Sequence, residues 1–71
     1  MLRFGKISKM DLSKGVGEII DENDQDIFFF TVHADHGLKV WDEVRFRIKF
    51  IGDGLQAVEI SAAYFGAINN F

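Results

Sequence analysis

Val44-Arg45-Phe46-Arg47-Ile48-Lys49-Phe50, then Asp53-Gly54, then Val58-Glu59-Ile60-Ser61-Ala62, is the stretch that decides the fold. Apolar and basic side chains alternate strictly from Val44 to Phe50, the pattern of a β-strand with one dry face and one wet face. Asp53-Gly54 is a two-residue hairpin signal, because both residue types tolerate positive φ. Val58, Ile60 and Ala62 then alternate with Glu59 and Ser61 as the return strand. Upstream, Ile27-Phe28-Phe29-Phe30 is a β-branched and aromatic run bounded by Asp26 and Thr31. Ile19-Ile20 precedes a polar stretch, Asp21 to Asp26, that reads as a hairpin connection. Residues 3–10 alternate more weakly and carry no helix cap or breaker pattern. No segment reads as a helix. Five strands at this spacing in 71 residues predict a small closed antiparallel barrel rather than a sandwich.

The composition agrees with one domain near the lower size limit for a self-sufficient core. Apolar residues make up 48% of the chain, including eight Phe, and there is neither Cys nor Pro. Stability therefore has to come from apolar packing, without disulfides or thiolate metal sites. No run approaches the ~18 apolar residues of a membrane span and no charged-then-apolar leader opens the chain, so the expectation is a cytoplasmic protein without a membrane partner. The net charge of −3 would ordinarily argue against a polyanionic ligand, but it is unevenly spread. Arg3, Lys6, Lys9 and Lys14 cluster near the start; Glu18, Asp21, Glu22, Asp24, Asp26 and Asp35 follow without a Lys or Arg among them; Lys39, Arg45, Arg47 and Lys49 come later. Such segregation can leave a basic face on an acidic molecule.

Residues 1–62 are expected to form the barrel. Residues 63–71 hold Tyr64, Phe65, Ile68 and Phe71, an apolar ending where termini are usually polar and loose. This tail is expected to extend the last strand and seal an open end of the barrel, the alternative being a surface for homo-oligomerisation.

In order and spacing, these segments resemble the bacterial cold-shock domain, a barrel of the OB type. The matching stretches are Gly5-Lys6-Ile7-Ser8-Lys9-Met10-Asp11, Lys14-Gly15-Val16-Gly17-Glu18-Ile19, Asp26-Ile27-Phe28-Phe29-Phe30-Thr31, then Leu38, Val44, Phe46 and Ile48, and finally Gly54-Leu55-Gln56-Ala57-Val58-Glu59-Ile60. Between Thr31 and Leu38 the chain is about four residues shorter than the family pattern, which has a longer loop after the third strand. The resemblance implies a domain that binds single-stranded RNA or DNA by stacking bases on aromatic rings of the first three strands. Such stacking is worth ~1–3 kcal/mol per base, and nearby cations make binding salt-dependent.

Strand parity places Ile7, Ile19, Ile27 and Phe29 inward and Ser8, Met10, Val16, Glu18, Phe28 and Phe30 outward. By the resemblance, Phe28 matches a stacking Phe, Phe30 stands where the family has His, and Lys14 lies beside the glycine pair, within reach of a phosphate. Lys9 replaces the family Trp and Met10 a Phe. Val16 and Glu18 replace the two Phe of the glycine motif, and Thr31 replaces the Phe after the His. The aromatic platform is thus reduced to Phe28 and Phe30, with Lys6 and Lys9 as electrostatic support. The resulting expectation is weak, salt-sensitive binding of single-stranded nucleic acid. The alternative is a protein-interaction or self-assembling module that keeps the barrel without the ligand, a reading supported by Glu18 and the apolar tail. Phe28 and Phe30 could also be covered by the short loop or the tail and belong to the core.

Other chemistry finds little support in the residues. His33-Ala34-Asp35-His36 offers two imidazoles and a carboxylate, but no Cys or third His completes a ligand set, so no metal is expected. Gly15-Val16-Gly17 lacks the spacing and the following helix of a phosphate-cradling loop. No nucleophile with a neighbouring base is evident, and neither catalysis nor a cofactor is expected. Arg45, Arg47 and Lys49 read as the solvated face of the fourth strand.

Overall fold

The computed structural model describes residues 2–52 and 54–63. Five strands form a closed barrel in the order β1-β2-β3-β5-β4. They are β1 (Leu2–Asp11), β2 (Val16–Asp21), β3 (Asp26–Phe30), β4 (Glu43–Ile51) and β5 (Gly54–Ala62). One short 3-10 turn, Thr31–His33, follows β3. The expected antiparallel arrangement holds along four seams. The closing seam is parallel, β3 meeting β5 at Phe28 and Gln56, and the bridge between Ala34 and Ile60 continues in the same sense.

Alternation along each strand builds the core. Ile7, Ile19, Ile27, Phe29, Val44, Phe46, Ala57 and Ile60 are buried together, with Met10, Ala34, Leu38 and Ile48 packed at the margin. The glycine pair shapes the β1–β2 end of this core. Gly15 takes φ +71° in the turn, a conformation open to glycine at little cost. Gly17 is needed for a different reason: a Cβ there would collide with the Phe29 ring and lie 2.8 Å from the Lys9 carbonyl oxygen. The aromatic core residue on β3 thus depends on the missing side chain on β2.

Bulges set the register. β1 pairs with β2 as Ile7↔Ile19 and then Lys9↔Glu18, so Ser8 is an extra residue, and its hydroxyl donates to the Glu18 carbonyl at 3.3 Å. Beyond this bulge the parity of β1 inverts. Lys9 shares the outward face with Glu18, whereas Met10 sits opposite Gly17 and packs against the core. The outward placement of Met10 expected from simple alternation is therefore incorrect. A second shift lies in β5, where Arg45↔Ser61 is followed by Arg47↔Val58. Glu59 occupies it at φ +51°, and Ala57 and Val58 are consecutively buried.

The β4–β5 hairpin differs from expectation at its tip. Ile51 pairs with Gly54, so Gly52, at φ +65°, takes the turn and Gly54 opens β5. Phe50 continues the apolar phase of β4 yet is 79% exposed. The cause is length: β1 accompanies β4 only as far as Leu2↔Arg47, and beyond that point the phase no longer faces a core.

The β2–β3 connection is fixed by a buried carboxylate. Asp21 accepts the backbone N–H groups of Asn23 (2.8 Å) and Gln25 (2.9 Å) on one oxygen. Arg3 donates to the other at 3.3 Å. Both carboxylate oxygens are therefore satisfied at the barrel rim. Ala63 continues the β5 pairing by donating its N–H to Glu43 at 3.0 Å. The expectations for the rest of the 63–71 tail, sealing or self-association, lie outside the described residues. Among the described residues no helix is long and apolar enough to cross a membrane.

Candidate nucleic-acid interface

The outward face of β1, β2 and β3 is a grid defined by the strand pairing. Lys6, Ile20 and Asp26 form one row; Lys9, Glu18 and Phe28 the next; Asp11, Val16 and Phe30 the last. Each row crosses three strands, with side chains about 5 Å apart at Cβ. Phe28 and Phe30 are 37% and 41% exposed, against 0% for Phe29 between them.

The short loop leaves both rings open because it is tied elsewhere. The Thr31 N–H donates to the Gly15 carbonyl at 2.9 Å, and the Asp35 N–H to Ile60 at 3.0 Å. The loop is thereby held against β5 and the β1–β2 turn. Thr31 begins the 3-10 turn rather than continuing the strand, so it is not a fourth position of the β3 platform.

The ring geometry limits what this platform can hold. Phe28 and Phe30 meet edge to face, with centroids 4.8 Å apart and planes at 88°. The pairing is favourable by about 0.5–1.5 kcal/mol, but two perpendicular rings cannot both lie flat beneath successive bases. A base stacked on one ring meets the edge of the other.

Charges on the face nearly balance. Lys6, Lys9 and Lys14 are exposed, against the carboxylates of Asp11, Glu18 and Asp26. Glu18 stands between Lys9 and Phe28, so Lys9 has a carboxylate as its cross-strand neighbour. Asp11 organises the β1–β2 turn: its carboxylate accepts the Ser13 hydroxyl at 2.7 Å and the Lys14 N–H at 3.1 Å. These bonds, the Ser13 hydroxyl first, hold the Asp11 carboxyl below the usual range and keep it ionised.

Lys9, Lys14 and Phe28, with Met10, Asp11, Val16, Gly17 and Glu18, line one shallow depression of about 270 Å³. Phe30 adjoins it through Val16. Lys6 does not take part. It lines a neighbouring depression with Phe4, Ile20, Glu43 and Trp41, a feature that no sequence pattern announces. Gln56 lies across the parallel seam from Phe28 as a further neighbour of the platform, and local alternation cannot reveal that seam. His33 closes the 3-10 turn and His36 lies exposed beyond it. Among the described residues no three His, Asp or Glu side chains are grouped to hold a metal.

Comparison with solved structures decides the architecture. Drosophila Unr, in the structure titled Unr CSD456, superposes with a TM-score of 0.77 at 22% identity, covering 94% of this chain. The chain has the cold-shock fold. It spans 29% of the Unr chain it matches. No protein-family model matches the sequence, and no curated protein does.

Proposed function

We propose that this cold-shock barrel is a non-enzymatic binding module for single-stranded RNA or DNA, acting weakly and in a salt-dependent way through its β1–β2–β3 face. A base stacks there on Phe28 or Phe30, one ring at a time, while Lys9 and Lys14, with Lys6 at the margin, meet phosphates. The observation that carries this reading is the pair of solvent-open rings on the same face as Lys9, flanking a buried Phe29. Two adjacent, partly exposed rings form an apolar patch that a ligand can cover, and the flat face of a base fits them. Weakness follows from the perpendicular rings and from Glu18, whose charge opposes a phosphate and offsets Lys9.

One observation favours a second reading, a protein-interaction module. Glu18 lies in the central row, where a nucleic-acid ligand would be most closely held.

Titration of fluorescent oligo-dT and oligo-U at two salt concentrations distinguishes the two. Three phosphate interactions with a single strand give a log–log salt slope of about −2, hence a fall in affinity of about fiftyfold between ~20 and ~150 mM salt. Phe28→Ala should weaken binding at low salt by about fivefold or more, as expected for one missing stack. Absence of binding at low salt would leave the interaction module as the function.

A further inference from the structure

The second depression, about 390 Å³ in volume, lies beside the platform, between the first half of β1 and the start of β4. Its most unusual wall is Trp41. The Asp42 N–H donates to the Lys39 carbonyl at 3.0 Å, and Trp41, third of the four turn residues, has φ +76° while Val40 does not have positive φ. Those are the marks of a type II turn, whose third residue is ordinarily Gly or Asn. A bulky aromatic side chain in that conformation is a backbone outlier. The turn is nonetheless firmly held. Trp41 donates its N–H to the Ile7 carbonyl at 2.7 Å, the Asp42 carbonyl accepts the Ile7 N–H at 3.1 Å, and the Asp42 carboxylate accepts the Lys39 N–H at 2.8 Å. The indole so placed is 66% exposed, so burial does not account for its presence. Strain of this kind, maintained by surrounding bonds, is characteristic of binding sites.

The charges around the indole select the ligand. Glu22, Asp24 and Glu43 line the depression; none forms a close ion pair among the described residues, though Glu43 has Lys6 as its cross-strand neighbour. Asp21 also contributes to the wall, but its oxygens are occupied by Arg3, Asn23 and Gln25. Lys6 is the one cation in the lining among the described residues. Carboxylates on the rim repel phosphate and attract a cation, while the apolar floor of Phe4, Ile20 and Val44 suits an alkyl stem. A planar guanidinium stacks on an indole more effectively than an ammonium does, because it is flat and less strongly hydrated.

We propose that this depression is a second binding site, taking an arginine side chain from a basic segment of a partner protein over the face of Trp41. It adjoins the base-stacking face, sharing Lys6 and Ile20 with that face's first row, and does not require that face to bind nucleic acid.

The test is titration of the full chain with a short arginine–glycine peptide, with lysine–glycine and glutamate–glycine peptides for comparison. Trp41 is the only tryptophan, so its emission reports occupancy directly, and calorimetry supplies affinities for variants lacking it. The arginine peptide should give a saturable emission change and bind severalfold more tightly than the lysine peptide, with no response to the glutamate peptide. Trp41→Gly should weaken binding by about fivefold or more, with an unchanged or raised unfolding midpoint because glycine suits the turn. Lys6→Gln should strengthen peptide binding about two- to threefold, and Glu43→Gln should weaken it by a similar factor. Equal affinity of Trp41→Gly and the parent would reduce the effect to diffuse attraction by an acidic protein and overturn the proposal. So would an absent emission change, or a change produced by oligo-dT instead of the arginine peptide.

Discussion

The triple variant Lys9→Trp, Val16→Phe, Glu18→Phe is expected to bind oligo-dT about a hundredfold more tightly than the parent chain and to remain folded. All three positions lie on the outward grid, directly across from one another or from Phe28 and Phe30. Three added stacking surfaces at the low end of ~1–3 kcal/mol each provide about 3 kcal/mol. The phosphate attraction that Lys9 supplies in the parent has to be subtracted, while removal of Glu18 deletes a repulsive charge. Neighbouring substitutions do not add strictly, which is why the low end is the proper basis. Met10 is left alone because the Ser8 bulge turns it onto the core. Thr31 is left alone because its backbone ties the loop to Gly15. Fluorescence anisotropy measures the affinity and chemical denaturation the stability. A folded triple variant without improved binding would mean that the platform is not the determinant of affinity.

The second large effect separates the two sides of β3. Phe29→Ala should destabilise the barrel by ~3–5 kcal/mol, the cost of removing a fully buried aromatic ring and leaving a cavity. In a domain this small, that is comparable to the whole stability, so the variant should be largely unfolded at room temperature. The adjacent Phe30→Ala should cost about 1–2 kcal/mol, from partial burial of the ring together with its edge-to-face pairing with Phe28. Urea denaturation of the two variants checks both values. Similar destabilisation at the two positions would show that Phe30 belongs to the core and is closed to a ligand.

Much of this arrangement is legible in the sequence. The alternation of Val44, Phe46 and Ile48, and the inward set Ile7, Ile19, Ile27 and Phe29, rest on the two-residue period of a strand, which any half-buried strand must obey. The solvent-facing positions of Phe28 and Phe30 follow from the same rule. What alternation cannot reveal are the places where it is interrupted. The Ser8 bulge inserts a residue with no glycine or proline to mark it, and it reverses the faces of Lys9 and Met10. Gly52-Asp53-Gly54 offers glycine at both ends, so the turn can be read in two registers; the pairing of Ile51 with Gly54 selects the earlier one. Phe50 has the correct phase for the core side, but β1 ends before reaching it. Turn chemistry reserves the position of Trp41 for glycine, so no sequence rule points to it, and that departure from the rule is what singles it out in the structure.

Backbone amide chemical-shift mapping during an oligo-dT titration at low salt examines the base-stacking face residue by residue. Perturbations should concentrate at Lys9, Lys14, Val16, Glu18, Phe28 and Phe30, fade along β1 toward Lys6, and decline together as salt is raised. Perturbations confined to Arg45, Arg47 and Lys49 on β4, or absent throughout, would contradict binding through this face.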